Sequence, residues 1–155
     1  MTKATEEIVY EEAVRAIDEQ VQQLSELRSR TSIVLVAYGL TASFLGAASL
    51  EDGSGLGAWL AILFFALGTT TCIRVLLPQW KAWGFVVSAP MLIQDFLDVP
   101  LRNDSAQLLR FLATTLDEHH EENSKRLERL YVWFWLACLG LAVQTGLWLL
   151  ELALD

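Results

Sequence analysis

"LDEHHEENSKRLERLYVWFWLACLGLAVQTGLWLL", residues 116–150, changes character once, at Leu130. Acids come first, then two adjacent histidines, then bases, then a run of 21 residues without a charge. No glycine or proline interrupts the chain from Ser105 until Gly140. The spacing therefore predicts one helix of about 45 residues, polar in its first half and apolar in its second. Roughly 20 apolar helical residues cross a hydrocarbon core about 30 Å thick, so the second half has the length of a membrane span. The fold turns on whether other parts of the chain repeat that pattern.

Two other runs do. Residues 31–50 read "TSIVLVAYGLTASFLGAASL" and residues 53–73 read "GSGLGAWLAILFFALGTTTCI", both free of charge. Three such runs in 155 residues that are 54% hydrophobic, with a positive mean hydropathy of +0.38, favour a membrane protein over a soluble bundle. The expected fold class is an all-α integral membrane protein with three transmembrane helices and two cytoplasmic helical stems, one N-terminal and one preceding the third span. The expected divisions are an amphipathic cytoplasmic helix over 1–30, a transmembrane hairpin over 31–77 and an interfacial or cytoplasmic segment over 78–104. A cytoplasmic stem follows over 105–129, and the third span with a short outer tail covers 130–155. The first thirty residues are polar and mostly acidic, unlike a signal peptide, so the first span is expected to anchor the mature protein.

Orientation follows from the bases. Lys3, Arg15, Arg28 and Arg30 precede the first span; Arg74 and Lys81 flank the end of the second; Arg102, Arg110, Lys125, Arg126 and Arg129 precede the third. The hairpin "EDGSGLG" and the tail "ELALD" hold none. With three spans all eleven bases fall on one side, which the positive-inside rule makes cytoplasmic. The expected location is the cell (inner) membrane, with the N-terminus inside and the C-terminus outside.

In the N-terminal stem, Tyr10, Val14, Ile17, Val21 and Leu24 step by four, three, four and three. That is a coiled-coil seam, suited either to a homo-oligomer or to another part of the same subunit. The helix can run straight into the first span, because no proline or glycine lies between Ala4 and Tyr38. The short acidic glycine-rich hairpin makes the first two spans antiparallel neighbours. The small residues of "GLGAWLAILFFALG" can let helices approach closely. Arg74 can snorkel to the surface or act as a buried gating charge. In "QWKAWGFVVSAPMLIQDFLDVP" the tryptophans at 80 and 83, Pro90 and a Ser88 cap fit a segment over 82–97 that lies along the membrane or re-enters it. In the second stem Asp104 is a suitable N-cap, and Leu109, Leu112 and Leu116 begin a seam that turns polar at His119, Asn123 and Arg126. The two stems enter the membrane in the same direction, so they can pack in parallel.

Chemistry is sparse. A net charge of −8 argues against DNA or RNA strands as partners, because no basic stripe exists to neutralise phosphates. A small phosphorylated ligand needs only a few local donors. Arg102, Arg110, His119, His120, Lys125 and Arg126 can supply them, with Asn123 alongside and Trp80 or Trp83 able to stack on a base. Asp117 with His120, or His119 with Asn123, has helix spacing for a shared ion, but no other histidine exists to complete a metal site. No nucleophile elbow, Cys–His pair or phosphate-cradling glycine loop is present, so nothing indicates an enzyme, and no cofactor is expected. Cys72 and Cys138 lie inside spans, where a thiol is chiefly a small packing residue.

The succession "LSELRSRTSIVLVAYGLTASFLG", "LLPQW", "SAPMLIQDFLD", "LLRFLATTLDEHHEENSKRLERL" and "FWLACLGLAVQTGLWLL" resembles the small transmembrane effectors of the bacterial Pycsar anti-phage system and related SLATT-type effectors. The resemblance covers nearly the whole chain, in architecture more than in invariant residues. Asn123-x-Lys125 resembles the family's step before the last span. Arg28-Ser29-Arg30-Thr31 stands where the family often has Asp-x-Lys-Ala. The resemblance implies a membrane effector that responds to a cyclic mononucleotide by impairing the inner membrane. The alternative is a non-enzymatic accessory subunit, or a small oligomeric channel, that recruits a protein partner through its stems.

The one-sided bases generate the first prediction. A reporter active only outside the cytoplasm should give signal when fused at residue 155 and stay silent at residue 100. The reverse pattern defeats the three-span topology.

Overall fold

The computed structural model describes residues 5–51, 55–77, 83 and 105–154. Its described elements are three α-helices: α1 (Thr5–Glu51), α2 (Leu56–Leu76) and α3 (Ser105–Leu154). Each is long and apolar enough to cross a membrane. At 47 and 50 residues, α1 and α3 each join a polar stretch to an apolar one without a break. Helix α1 continues through Gly39 and Gly46, two residues of weak helix propensity within a 47-residue helix. The interfacial segment over 82–97, the Ser88 and Asp104 caps, and Trp80 and Arg102 lie outside the described residues.

The chain divides into two compact units. One contains Met1–Leu24 and Gln79–Leu127, and the other contains Ser25–Pro78 and Glu128–Asp155. The second, the span unit, packs three helices through positions three and four apart. On α2 the buried residues are Ala58, Ala61, Gly68, Cys72 and Val75. All but Val75 are small, which lets neighbouring backbones come close. Tyr38 of α1 contacts Phe65 of α2, with ring centroids 6.3 Å apart. Nearer the hairpin, Leu45 packs with Ala58, Ala61 and Trp148. Contacts that advance along α1 thus retreat along α2, so the two helices are antiparallel. Along α3 the order is Ala137 with Tyr38, then Trp148 with Gly46, so α1 and α3 run parallel.

Tyr38 is the centre of this unit. It is fully buried in a cluster with Cys72 and Ala137. A Cβ at Gly68 would overlap its phenol, and one at Gly140 would crowd the hydroxyl. The two glycines therefore make the space that the ring fills. Its hydroxyl donates to the Ala137 carbonyl at 2.6 Å, giving the buried phenol the partner that an apolar interior requires. Cys72 and Cys138 are free thiols, and Cys72 serves as a small member of this core.

The outer faces of the span unit are apolar. Ile33, Val36, Leu40 and Phe44 on α1, Trp59, Leu63 and Leu67 on α2, and Trp135, Leu139 and Leu149 on α3 are all exposed. A band of that extent suits acyl chains and not water. Hydroxyls in the spans bond inward: Thr70 and Thr71 donate to Ala66 and Leu67, Thr69 to Phe65, and Thr145 to Leu141. The "TTT" stretch is thereby satisfied within its own helix and needs no aqueous lining. Arg74, in the last turn of α2, is exposed, and its guanidinium lies 4.7 Å from the Trp133 ring centre. That is a surface cation–π contact rather than a buried gating charge.

Space at the glycines predicts opposite outcomes. Gly68→Ala should destabilise the solubilised protein by about 1–3 kcal/mol through overpacking against Tyr38. Gly39, where a Cβ meets nothing within 4 Å, should tolerate alanine or gain up to about 1 kcal/mol of helix propensity. Thermal unfolding of both variants in one detergent checks the difference in sign.

Candidate functional site in the paired stems

The stem unit sets the first part of α1 beside the first part of α3. Ile17, Gln20 and Leu24 form the buried edge of α1, and Ala113, Leu116, Asn123 and Leu127 that of α3. Steps of three and four residues are those of a coiled-coil seam, and the pairing is parallel. At the start, Arg110 donates to Glu6 at 2.9 Å. Further along, the Gln20 amide donates to the His120 carbonyl at 2.8 Å and to the Ser124 hydroxyl at 2.7 Å. Gln20 is almost wholly buried and Asn123 wholly so. A polar layer inside an apolar seam fixes register, because sliding either helix strands its hydrogen-bonding groups.

The sequence seam on α1 is partly rearranged. Ile17 and Leu24 are buried, Tyr10 and Val14 are half-buried, and Val21 is exposed. Gln20 takes the position between Ile17 and Leu24, because its amide finds partners on α3. On α3 the expected line through Leu109, Leu112, His119 and Arg126 is half-buried, and only Leu116 and Asn123 of that seam are fully covered in this unit. Hydrophobicity favoured the leucines, whereas close packing selected Ala113.

Beside the polar layer an open cleft of about 580 Å³ lies between the stems. That volume is in the range of small-molecule sites. Val9, Ala13, Ala16 and Ala113 make its apolar surface, and Glu12, Arg110, Thr114, Asp117 and His120 supply polar groups. The alanines leave the space, since longer side chains there would fill it. Thr114 donates its hydroxyl hydrogen to the Arg110 carbonyl at 2.9 Å, leaving oxygen lone pairs as acceptors. Nδ1 of His120 is buried without a hydrogen-bond partner. The cleft thus combines cationic and neutral donors with two carboxylates, a set able to hold a small polar molecule by both its acceptor and donor edges.

Of the ligand residues expected from sequence, the cleft unites Arg110 and His120. His119 is half-buried and does not line it. Lys125 and Arg126 are engaged along their own helix, with Glu121 at 2.7 Å and Glu122 at 3.4 Å, the i, i+4 order that supports a helix. Trp83 is half-buried and outside the cleft lining. Sequence reasoning missed Glu12 and Thr114, and it singled out Asp117 with His120 for a shared ion and not for this cleft. The signal that could have found them is the alanine spacing at 13, 16 and 113, which marks a gap in an otherwise bulky seam. Among the described residues no three His, Cys, Asp or Glu side chains converge as metal ligands.

The chain matches no known family description, no curated protein and no solved structure.

Two acids show how the stem is tied electrostatically. Glu6 is held below the usual carboxylate value of 4.5, first by a backbone hydrogen bond in the opening turn and then by Arg110. Glu121 is held low by the hydrogen bond from Lys125 and by its charge. A depressed carboxylate favours the folded state above 4.5 and loses that contribution as pH falls through its lowered value. Carboxyl NMR titration should therefore place Glu6 below 4.5 in the intact protein. In Arg110→Ala it should rise only part of the way, because the backbone hydrogen bond remains. A full return to 4.5 would make Arg110 the whole cause.

Proposed function

We propose that the protein is a multi-pass membrane effector in which the stem cleft receives a cytoplasmic signal and the spans respond by impairing the membrane. The observation that supports this most directly is the cleft on helices that continue without a break into apolar segments. A ligand that changes the spacing of the stems would act on the same two helices that traverse the bilayer, which is the differential interaction a population shift requires. In this reading the stems are cytoplasmic, the C-terminus is outside, the host bilayer is the bacterial inner membrane, and the active form is a homo-oligomer. The resemblance to Pycsar and SLATT-type effectors supplies the ligand class, a cyclic mononucleotide. Arg110 with His120 would meet its phosphate, Glu12 and Asp117 would accept from amino or hydroxyl groups, and the alanines would face the base.

Two aspects of the span unit favour a stimulated response over a permanent pore. Its hydroxyls are spent on their own helix, and its centre is filled by Tyr38. A standing channel needs polar lining that these helices do not present.

The test is a panel of purine and pyrimidine cyclic mononucleotides added to detergent-solubilised protein, read by thermal shift, with dye release from liposomes as the second readout. One member should raise Tm by several degrees and trigger release. Asp117→Asn and Arg110→Ala should weaken that response about tenfold or more while leaving the unliganded Tm within about 2 °C. A panel without effect on either readout removes the cyclic nucleotide from the proposal. Ligand binding that persists in both variants removes the cleft.

A further inference from the structure

Gln144 lies in the third span and is fully buried, yet neither its amide nitrogen nor its amide oxygen has a hydrogen-bond partner. Trp148, one helical turn later, is 2% exposed, and its indole nitrogen is also buried without a partner. Residues four apart on a helix share a face. Two amide N–H groups, one indole N–H and one amide oxygen therefore collect at one level of the span unit, on the packed side of α3. Two other buried polar side chains of that unit behave differently. Tyr38 donates to Ala137, and Thr31 donates to Leu27.

Leaving these groups unpaired is costly in a bundle surrounded by acyl chains, where bulk water cannot reach them. An intrahelical solution is open to a hydroxyl, which reaches back to the carbonyl four residues earlier, as Thr145 does. A glutamine amide is longer and carries both donors and an acceptor, so one backbone carbonyl cannot satisfy it. The indole can only donate. The smallest species that accepts from an indole N–H and donates to an amide oxygen is water. The residues packed against Trp148 (Gly46, Ala58 and Ala61) carry no polar side chain that could serve as the partner.

We propose that Gln144 and Trp148 form a buried water-binding site inside the span unit, with a water bridging the indole N–H and the amide. Buried waters of this kind make about three hydrogen bonds each and are retained as part of the fold. The site is independent of the stem cleft and of any nucleotide. It places a hydrated point within an otherwise apolar packing layer.

The experiment is solid-state NMR on the full chain in lipid bilayers with ¹⁵N-labelled tryptophan indoles. The Trp148 signal is assigned by its loss in Trp148→Phe. Magnetisation transfer from water should reach the Trp148 indole on the millisecond timescale, and Gln144→Leu should reduce that transfer at least severalfold. Leucine conserves much of the volume and removes the polar groups, so the variant should fold and keep the other indole signals. Absence of transfer in the wild-type protein overturns the site. So does transfer unchanged in Gln144→Leu, which would assign the water to other partners. An indole signal that depends on the protein-to-lipid ratio would also overturn it, by giving the partner role to a second copy. Should Gln144→Leu not fold, Gln144→Met supplies the same comparison with a flexible side chain of similar length.

Discussion

Each contact between α1 and α3 joins residues about a hundred positions apart: Glu6 with Arg110, Gln20 with Ser124, Tyr38 with Ala137. The nearly constant offset means that the helices run in the same direction in each unit, and that requirement organises the chain. Two parallel helices cannot be joined by a tight turn. The chain must first return, and α2 makes that return within the span unit while packing on both neighbours. Its narrow seam of Ala58, Ala61, Gly68 and Cys72 is what allows one helix to contact both at close range.

Most of the architecture was legible because it rests on simple constraints. Charge-free length marked the spans, and the absence of proline and glycine marked the continuity of the long helices. The i, i+4 acids and bases of "EENSKR" support one helix face, with Glu121 meeting Lys125 and Glu122 meeting Arg126. The exact seam was harder to read. Hydropathy ranks Val21 above Gln20, yet Gln20 is buried and Val21 exposed, because the amide has two partners on α3 that valine could not use. The same blindness hid the cleft. A cleft arises where side chains are too short to meet, and no polar motif announces Ala13, Ala16 and Ala113. Trp80 and Arg102 belong to a stretch outside the described residues, so their expected roles rest on sequence alone.

Buried polarity is handled differently in the two units. In the stems the amide nitrogen of Gln20 is bonded across the helix pair, while its amide oxygen is buried without a partner. Such a layer favours one register while adding little net stability, since it trades bonds with solvent for bonds within the protein. In the span unit the hydroxyls turn to their own helix or, in the case of Tyr38, to a carbonyl of the neighbouring helix, whereas Gln144 and Trp148 have no such partner. In a bilayer those bonds would have no solvent competitor and would be harder to exchange.

The other end of the span unit has a different electrostatic problem. Helix α2 starts at Leu56 after Gly55, with no side-chain cap for its opening amides. The carboxylate of Glu151, in the last turns of α3, lies where Cβ atoms at Gly55 and Gly57 would sit. An anion beside a helix N-terminus complements the partial positive charge of the exposed N–H groups. Glycine at both positions is what permits the carboxylate so close to the backbone; alanine at either would displace it. The hairpin end is thus tied by an acid against a helix terminus and requires no lysine or arginine. The sequence has no lysine or arginine in residues 51–57 or 151–155, so no basic side chain from these stretches competes for that carboxylate.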